Sequence, residues 1–212
     1  NDGGGWNIRF IHHIQSGQYG YPMLFKHFTD EIIPALQDLG GGSGTGALFL
    51  QEPTWPDKFN NVPMMCDWGR SQLIIHRVTP DGASFTQKPE NFIRLAQIAD
   101  VDVDGSGRLY GAAWDGAGYS GNPKKGYVQR YVPEGWKFRR FPDPAKLKDK
   151  ALVELLRSAS ATARTAASQE LLNRPVAAKA VAVVAVDTAA SLESRVAAIF
   201  TYKQMEGAKA NP

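Results

Sequence analysis

One short stretch of the chain places a carboxylate, an aromatic ring and a cation next to one another. Asp67-Trp68-Gly69-Arg70 lies where one apolar, alternating segment ends and the next begins. A tryptophan in such a loop supplies a flat apolar wall, and an arginine supplies a fork that binds carboxylates. The pattern indicates a candidate ligand mouth at Trp68 and Arg70. The alternative is that Arg70 is solvated or paired with a neighbouring carboxylate.

The first residues of the chain form a second candidate site, rich in glycine and oxygen. Asp2 and Asn7 flank a run of three glycines that includes Gly4. Glycine adopts positive φ freely, so carbonyl oxygens in such a loop can turn towards an ion. Calcium takes about six to eight oxygen ligands in flexible geometry, which makes Asp2 and Asn7 candidate calcium ligands. A plain glycine-rich turn between strands would have the same composition.

An acidic segment further along alternates with valine. Asp100, Asp102 and Asp104 resemble the start of an EF-hand loop, but the twelfth position is Gly111 instead of the bidentate glutamate. The alternation predicts a strand that ends in a hairpin turn at Asp104–Gly107. Asp100 and Asp102 would then share one face of the strand. There they would bind an ion or hold the backbone of a neighbouring strand, and we favour the structural role.

The four histidines and the single cysteine give no clear indication of a catalytic or metal site. No carboxylate stands at a telling distance from His12, His13, His27 or His76, so each is interpreted as structural. Cys66 is the single cysteine and lies in an apolar segment, which predicts a buried, inert thiol. One cysteine excludes an internal disulfide, a cysteine-based zinc site and a C-x-x-C-H haem motif within these residues.

The candidate residues are carried by two copies of a four-strand pattern. The first copy is predicted at 44–51, 61–68, 72–79 and 90–95, and the second at 97–104, 108–115, 126–132 and 137–141. In each copy the second segment ends on a Trp–Asp pair, Asp67-Trp68 and then Trp114-Asp115. A repeated four-stranded antiparallel unit is typical of a β-propeller, which needs about four blades to close. We therefore expect about two blades, in a chain that is a piece of a larger protein.

The composition changes near residue 143, where a chain with all five tryptophans becomes rich in alanine, leucine and lysine. Four helices are predicted, at about 145–157, 160–173, 176–186 and 191–205. Ser160, Arg164, Ala167 and Leu171 recur 31 residues later as Ser191, Arg195, Ala198 and Tyr202. The two serines are predicted N-caps, because a serine hydroxyl satisfies an N–H that has no partner at the start of a helix. Paired helices with such a period resemble HEAT-type repeats. The predicted domains are residues 1–142, the C-terminal part of a propeller, and residues 143–212, the helical repeats.

The net charge and the hydropathy of the chain limit the classes of partner that the sequence indicates. The formal net charge of +3 is too small, and its basic residues too scattered, to indicate nucleic-acid binding. No apolar run approaches the roughly 20 residues that a membrane span requires. The sequence therefore indicates neither a nucleic-acid partner nor a membrane span within these residues.

Taken in order, the motifs are similar to a known family. NDGGGWNIRFIHHIQSGQYGYP, TGALFL, CDWGRS and DVDVDGSGRLYGAAWDG resemble the membrane-bound dehydrogenase domain of large secreted bacterial proteins, over about residues 1–132. That domain is similar to the soluble quinoprotein glucose and sorbosone dehydrogenases. The resemblance implies a six-bladed propeller that holds pyrroloquinoline quinone and calcium and oxidises a sugar or an alcohol. It also implies HEAT-like repeats, a cytochrome module in the parent chain, and a periplasmic or secreted location.

The resemblance also assigns roles to residues. It places the loop that contains Gly4 at the calcium and quinone, and Thr45 in a segment whose small polar residues approach the quinone. Trp68 and Arg70 lie where the dehydrogenases carry a basic residue near the cofactor. The family's arginines for the quinone carboxylates are absent from 95–99, where only Arg94 is close.

Two hypotheses follow. The first is a fragment of a quinoprotein-dehydrogenase-like enzyme, whose catalytic residue is not identified in this chain. The second is a non-catalytic scaffold of propeller and HEAT repeats that binds carbohydrate or protein partners. The absent arginines favour the scaffold, and the retained loop and Trp–Arg segment favour the enzyme.

Overall fold

The computed structural model describes residues 7–19, 32–118 and 120–210. Within these residues, strands come first and helices follow, which confirms the predicted order of a mainly β part and then an α part. The strands are β1 (Asn7–Phe10), β2 (Gln37–Gly41), β3 (Gly44–Leu50), β4 (Val62–Asp67), β5 (Gln72–Asp81), β6 (Ser84–Arg94), β7 (Ile98–Val103), β8 (Leu109–Ala113) and β9 (Tyr127–Tyr131). The helices are α1 (Asp149–Leu155), α2 (Ala161–Leu171), α3 (Ala178–Val186) and α4 (Leu192–Glu206).

The strands form three antiparallel sheets in chain order. Strands β1 and β2 pair with each other, β3-β4-β5-β6 form a four-stranded sheet, and β7-β8-β9 form a three-stranded sheet. The four-stranded sheet contains the four strands of the first predicted copy, but β6 begins at Ser84, six residues before the predicted 90–95. The second copy has three of its four strands, because residues 137–141 form no strand. A six-bladed propeller and HEAT repeats stay predictions.

The four-stranded sheet is held by buried apolar side chains of β4 and β5. Met64 and Cys66 of β4 and Leu73 and Ile75 of β5 are all buried. Because Met64 pairs with Ile75 and Cys66 with Leu73 across the two strands, these side chains form a continuous apolar layer. Burial raises the pKa of the Cys66 thiol to about 12, as expected for the inert thiol that the sequence predicts.

The described chain divides into two compact units. The first contains Asn1–Phe49, Val62–Asp102 and Gly111–Gln129. The second contains Leu50–Asn61, Val103–Tyr110 and Arg130–Pro212, so the helices share a unit with two segments that connect strands.

In the second unit, the predicted serine caps begin two of the helices. The Ser160 hydroxyl accepts a hydrogen bond from the Ala163 N–H at 3.0 Å, and Ser191 accepts one from the Ser194 N–H at 3.2 Å. Each bond satisfies an amide at the first turn that has no partner within the helix. The helical core consists of Leu152, Leu156, Ala167, Leu171, Ala177, Val181, Val184 and Ala198.

The predicted hairpin turn at Asp104–Gly107 is a packing centre of the same unit. The Asp104 carboxylate accepts hydrogen bonds from the Ser106 N–H, the Ser106 hydroxyl, both the N–H and Nε of Arg108, and the Tyr110 hydroxyl. Burial alone would raise the pKa of Asp104, but the bonds from Arg108 and Ser106 hold it below its ordinary value.

Aromatic side chains pack around this turn, which explains why residues 137–141 form no strand. The Trp136 indole donates to the Ser106 carbonyl at 3.0 Å, and the Arg108 guanidinium lies 5.2 Å from the Phe138 ring centroid. Phe141 lies so close to Gly105 that a Cβ there would be 2.2 Å from its ring. Residues 136–141 therefore follow the turn instead of pairing along β9.

Candidate functional site

The Asp67–Arg70 turn is organised around the buried carboxylate of Asp67. This side chain is fully buried, and it accepts hydrogen bonds from the Ser43 N–H at 3.3 Å and the Arg70 N–H at 3.0 Å. The Arg70 Nη1 lies 2.5 Å from the second carboxylate oxygen, and Nη2 donates to the Leu39 carbonyl. Arg70 is thus paired, as the alternative interpretation of the sequence allowed, while its side chain stays 37 % exposed.

Trp68 meets the tryptophan of the second sheet. The ring centroids of Trp68 and Trp114 are 6.3 Å apart, and the ring planes are inclined by 85°. Edge-to-face geometry is favourable because the positive edge of one ring approaches the negative face of the other. Both residues follow the second strand of their sheets, so the repeated Trp–Asp pairs bring two indoles together.

The backbone around the two indoles is arranged alike. The Trp68 N–H donates to the Ser43 carbonyl at 2.7 Å, and the Trp114 N–H donates to the Gln97 carbonyl at 3.1 Å. Ser43 immediately precedes β3 and Gln97 immediately precedes β7. Each tryptophan is therefore tied to the residue before the first strand of its own sheet.

Gln97 and Ser71 connect the two turns, and the sequence reasoning did not single them out. The Ser71 hydroxyl accepts a hydrogen bond from the Gln97 N–H at 2.9 Å, and the Gln97 side-chain oxygen accepts one from the Gly116 N–H at 2.5 Å. Gln97 adopts a φ of 46°, which is uncommon for a residue with a side chain. We call the group formed by Ser43, Asp67–Ser71, Ala96–Gln97 and Trp114–Gly116 the tryptophan edge.

Thr45 lies at the close approach of β3 to β7. Its hydroxyl donates to the Ile98 carbonyl at 3.0 Å. At the next residue, a Cβ on Gly46 would lie 2.1 Å from Oδ1 and 2.7 Å from Cα of Asp100, so only glycine fits. Thr45 thus holds neighbouring backbone, whereas the Asp100 carboxylate accepts a hydrogen bond from the next N–H of its own strand, that of Val101, at 2.8 Å.

A cavity of about 350 Å³ opens beside Arg70 and is also lined by Gln72, Ile74 and Asn91. Gln72 pairs directly with Arg94 across β5 and β6. Directly opposed residues of antiparallel strands project to the same face. Arg94, which is exposed, is therefore a second cation on the cavity side of the sheet.

The N-terminal candidate site lies partly outside the described residues, which do not include Asp2 and Gly4. Asn7 begins β1, and its side-chain nitrogen donates to the Asp38 carboxylate at 2.9 Å. This bond, with one from the Gly40 N–H, holds the pKa of Asp38 below its ordinary value. Among the described residues, no group of three or more histidine, cysteine or acidic side chains is arranged to hold a metal ion.

No protein-family model, curated protein or solved structure matches this chain. Within the part of the chain that the structure describes, no helix has the length and apolar character needed to cross a bilayer.

Proposed function

We propose that the chain is part of a quinoprotein-dehydrogenase-like protein that oxidises a sugar or an alcohol, and that the tryptophan edge is its ligand-facing edge. The observation that supports this most is the contact between Trp68 and Trp114 beside Arg70. Paired indoles offer apolar surface to a planar ring, and a guanidinium next to them offers a charge-assisted hydrogen bond.

The charges beside the cavity fit part of what pyrroloquinoline quinone requires. The quinone is a planar tri-acid, so it needs cations at its carboxylates. Arg70 shares its charge with Asp67, which weakens it as an anion ligand, whereas Arg94 is exposed on the same side of the sheet. When bound, the quinone would accept electrons from the substrate. The residues of this chain would hold its carboxylates and keep water from its ring.

Titration of the chain with pyrroloquinoline quinone in calcium-containing buffer tests the proposal. Because the cofactor would lie near Trp68 and Trp114, binding should quench tryptophan fluorescence and release heat in calorimetry. Arg94→Ala should weaken binding by about 1.5–3 kcal/mol, the contribution of a hydrogen bond to a charged group. Trp136→Phe is the matched control, since this indole bonds to the Ser106 carbonyl in the other unit and should leave affinity unchanged.

A non-catalytic scaffold is the second candidate, and a specific observation favours it. The polar groups that the resemblance assigns to the cofactor already have partners within the protein. Arg70 bonds to the Asp67 carboxylate and the Leu39 carbonyl, and Thr45 bonds to the Ile98 carbonyl. If the chain does not bind the quinone, the scaffold is the better explanation. Binding of the quinone with sugar-dependent dye reduction would exclude it.

A further inference from the structure

A second cavity lies at the far end of the β5–β6 hairpin. Its volume is about 610 Å³, within the range of small-molecule sites, and β6 contributes Ser84, Phe85, Thr86 and Gln87 to its wall. The β5–β6 ladder runs from the Gln72–Arg94 pair to the Asp81–Ser84 pair. At about 3.4 Å per residue, the tip of the hairpin lies about 30 Å from the Gln72–Arg94 pair. The two cavities share no lining residue, although Gln87 of this cavity and Pro89 of the cavity beside Arg70 are two residues apart on β6.

Among the lining residues that the structure describes, there is no lysine, arginine, aspartate or glutamate. Its apolar part includes Ile14, Leu36 and Phe85, and its polar part consists of hydroxyl, amide and imidazole groups. A charged ligand would leave water here without an ionic partner, which is unfavourable. The wall thus fits an uncharged molecule that has both an apolar face and hydrogen-bonding groups.

His12 is positioned at the wall by two contacts with β6. Its Nδ1 lies 3.2 Å from the Ser84 hydroxyl oxygen, and its ring meets the Phe85 ring edge to face, with centroids 5.0 Å apart. The Phe85 side chain is 37 % exposed, so part of its ring remains open to an incoming molecule. The cavity wall therefore presents an aromatic face beside a hydroxyl and an imidazole group.

The Gln87 amide is fixed by a partly buried hydrogen-bond network. Its nitrogen donates to the Gln37 side-chain oxygen at 2.9 Å, and its oxygen lies 2.8 Å from Nδ1 of His76. His76 is fully buried and stacks on Phe10, with ring centroids 4.0 Å apart. A polar group that is held by packed neighbours is pre-organised, so a ligand would not have to order it on binding.

We propose that this cavity binds an uncharged, ring-shaped polyol, such as a neutral monosaccharide or its glycoside. The C–H face of the ring would lie on Phe85, and the ring hydroxyls would bond to His12, Thr86 and the Gln87 amide. Neutral polyols combine an apolar face with a polar rim, which is the combination that the wall presents. This site is independent of the quinone proposal.

Ligand-observed NMR and calorimetry on the whole chain test the proposal, with methyl glucoside as the neutral probe and glucuronate as the charged one. The glucoside should bind, and glucuronate should bind at least tenfold more weakly. His12→Ala and Phe85→Ala should each weaken glucoside binding at least tenfold. The matched control is His13→Ala, which replaces the adjacent, exposed histidine that does not line the cavity and should leave affinity unchanged.

Two results would overturn the proposal. One is the absence of glucoside binding at tens of millimolar, and the other is equal weakening by His12→Ala and His13→Ala. Phe85 is partly exposed at the tip of the hairpin, so Phe85→Ala should keep the far-UV circular dichroism of the parent chain and remain informative if His12→Ala misfolds. Arg94→Ala should leave glucoside binding intact, which separates this test from that of the quinone site.

Discussion

The indole rings of Trp68 and Trp114 meet edge to face, with their centroids 6.3 Å apart, although 45 residues lie between them in the chain. Each indole follows the second strand of a different sheet, and each N–H bonds to the residue just before the first strand of its sheet. The contact therefore links equivalent positions of two similar units, which gives the repeated Trp–Asp pair a structural role.

A double-mutant cycle should measure this contact. We expect Trp68→Leu and Trp114→Leu to be coupled by about 0.5–1.5 kcal/mol, because each single change already removes the ring–ring interaction. Urea unfolding of the four proteins gives the coupling energy. Trp68→Leu with Trp136→Leu is the control cycle, since Trp136 contacts Phe138 in the other unit, and its two effects should add.

Replacement of Asp67 by alanine should lower the free energy of unfolding by about 1–3 kcal/mol, because it leaves the Ser43 and Arg70 N–H groups without their acceptor. The exposed Arg70 guanidinium can rehydrate, which keeps the loss below that of a fully buried ion pair. Glu154→Ala is the control. That carboxylate is 77 % exposed and lies 3.9 Å from Arg157, so its removal should cost less than about 0.5 kcal/mol. Equal losses in the two variants would contradict the role of Asp67.

His76 should make stability depend on pH. Burial lowers the pKa of its imidazole below the ordinary 6.5, and this effect exceeds the opposing one of the Gln87 hydrogen bond. The unfolded chain therefore binds a proton at a higher pH than the folded chain. The contribution of neutral His76 is complete above pH 6.5 and is lost as the pH falls from 6.5 through the folded pKa.

Unfolding titrations at several pH values check this dependence. Below pH 6.5 the parent chain should lose up to about 1.4 kcal/mol per pH unit through this group, and His76→Gln should show a flatter profile. His13→Gln changes an exposed imidazole and should keep the parent profile. A parent profile that stays flat below pH 6.5 is the result that rejects the assignment.

Gly107→Ala should be more destabilising than Gly135→Ala, although both glycines have positive φ, 78° and 73°. At Gly107 the new Cβ would lie 2.0 Å from Oγ1 and 3.1 Å from Cβ of Thr54, whereas nothing lies within 4 Å at Gly135. We expect about 1–2 kcal/mol for the backbone strain that both variants share. Overpacking at Gly107 should add about 1–3 kcal/mol, and thermal unfolding of the two variants measures the difference.

Much of the β part is predictable because its signals are local. Apolar segments located β4, β5 and β7 within about two residues. The Asp104–Gly107 turn forms as predicted, as do the Ser160 and Ser191 caps of the helical part. Residues 137–141 also alternate, yet Phe138 and Phe141 pack against a turn that lies some 30 residues earlier. A competing contact of this kind cannot be detected in the local sequence pattern.

The candidate site is harder to predict because its groups come from separate turns. The sequence identifies Trp68 and Arg70 by residue type but does not reveal their partners. Arg70 pairs with Asp67, and Trp68 meets Trp114 only because two sheets approach each other. Gln97 gives no signal in the sequence, since a glutamine between strands is ordinary. Its importance comes from its backbone conformation and from the two hydrogen bonds that join neighbouring turns.

The single cysteine, Cys66, can report how often the four-stranded sheet opens. Cys66 is fully buried on β4, and its pKa is about 12. In the closed sheet an alkylating reagent therefore cannot reach the sulfur, and the thiol is not ionised to the reactive thiolate. Modification must therefore wait until β4 separates from its neighbours. The rate of maleimide incorporation, followed by mass spectrometry, would report how often this sheet opens under native conditions, without any introduced label.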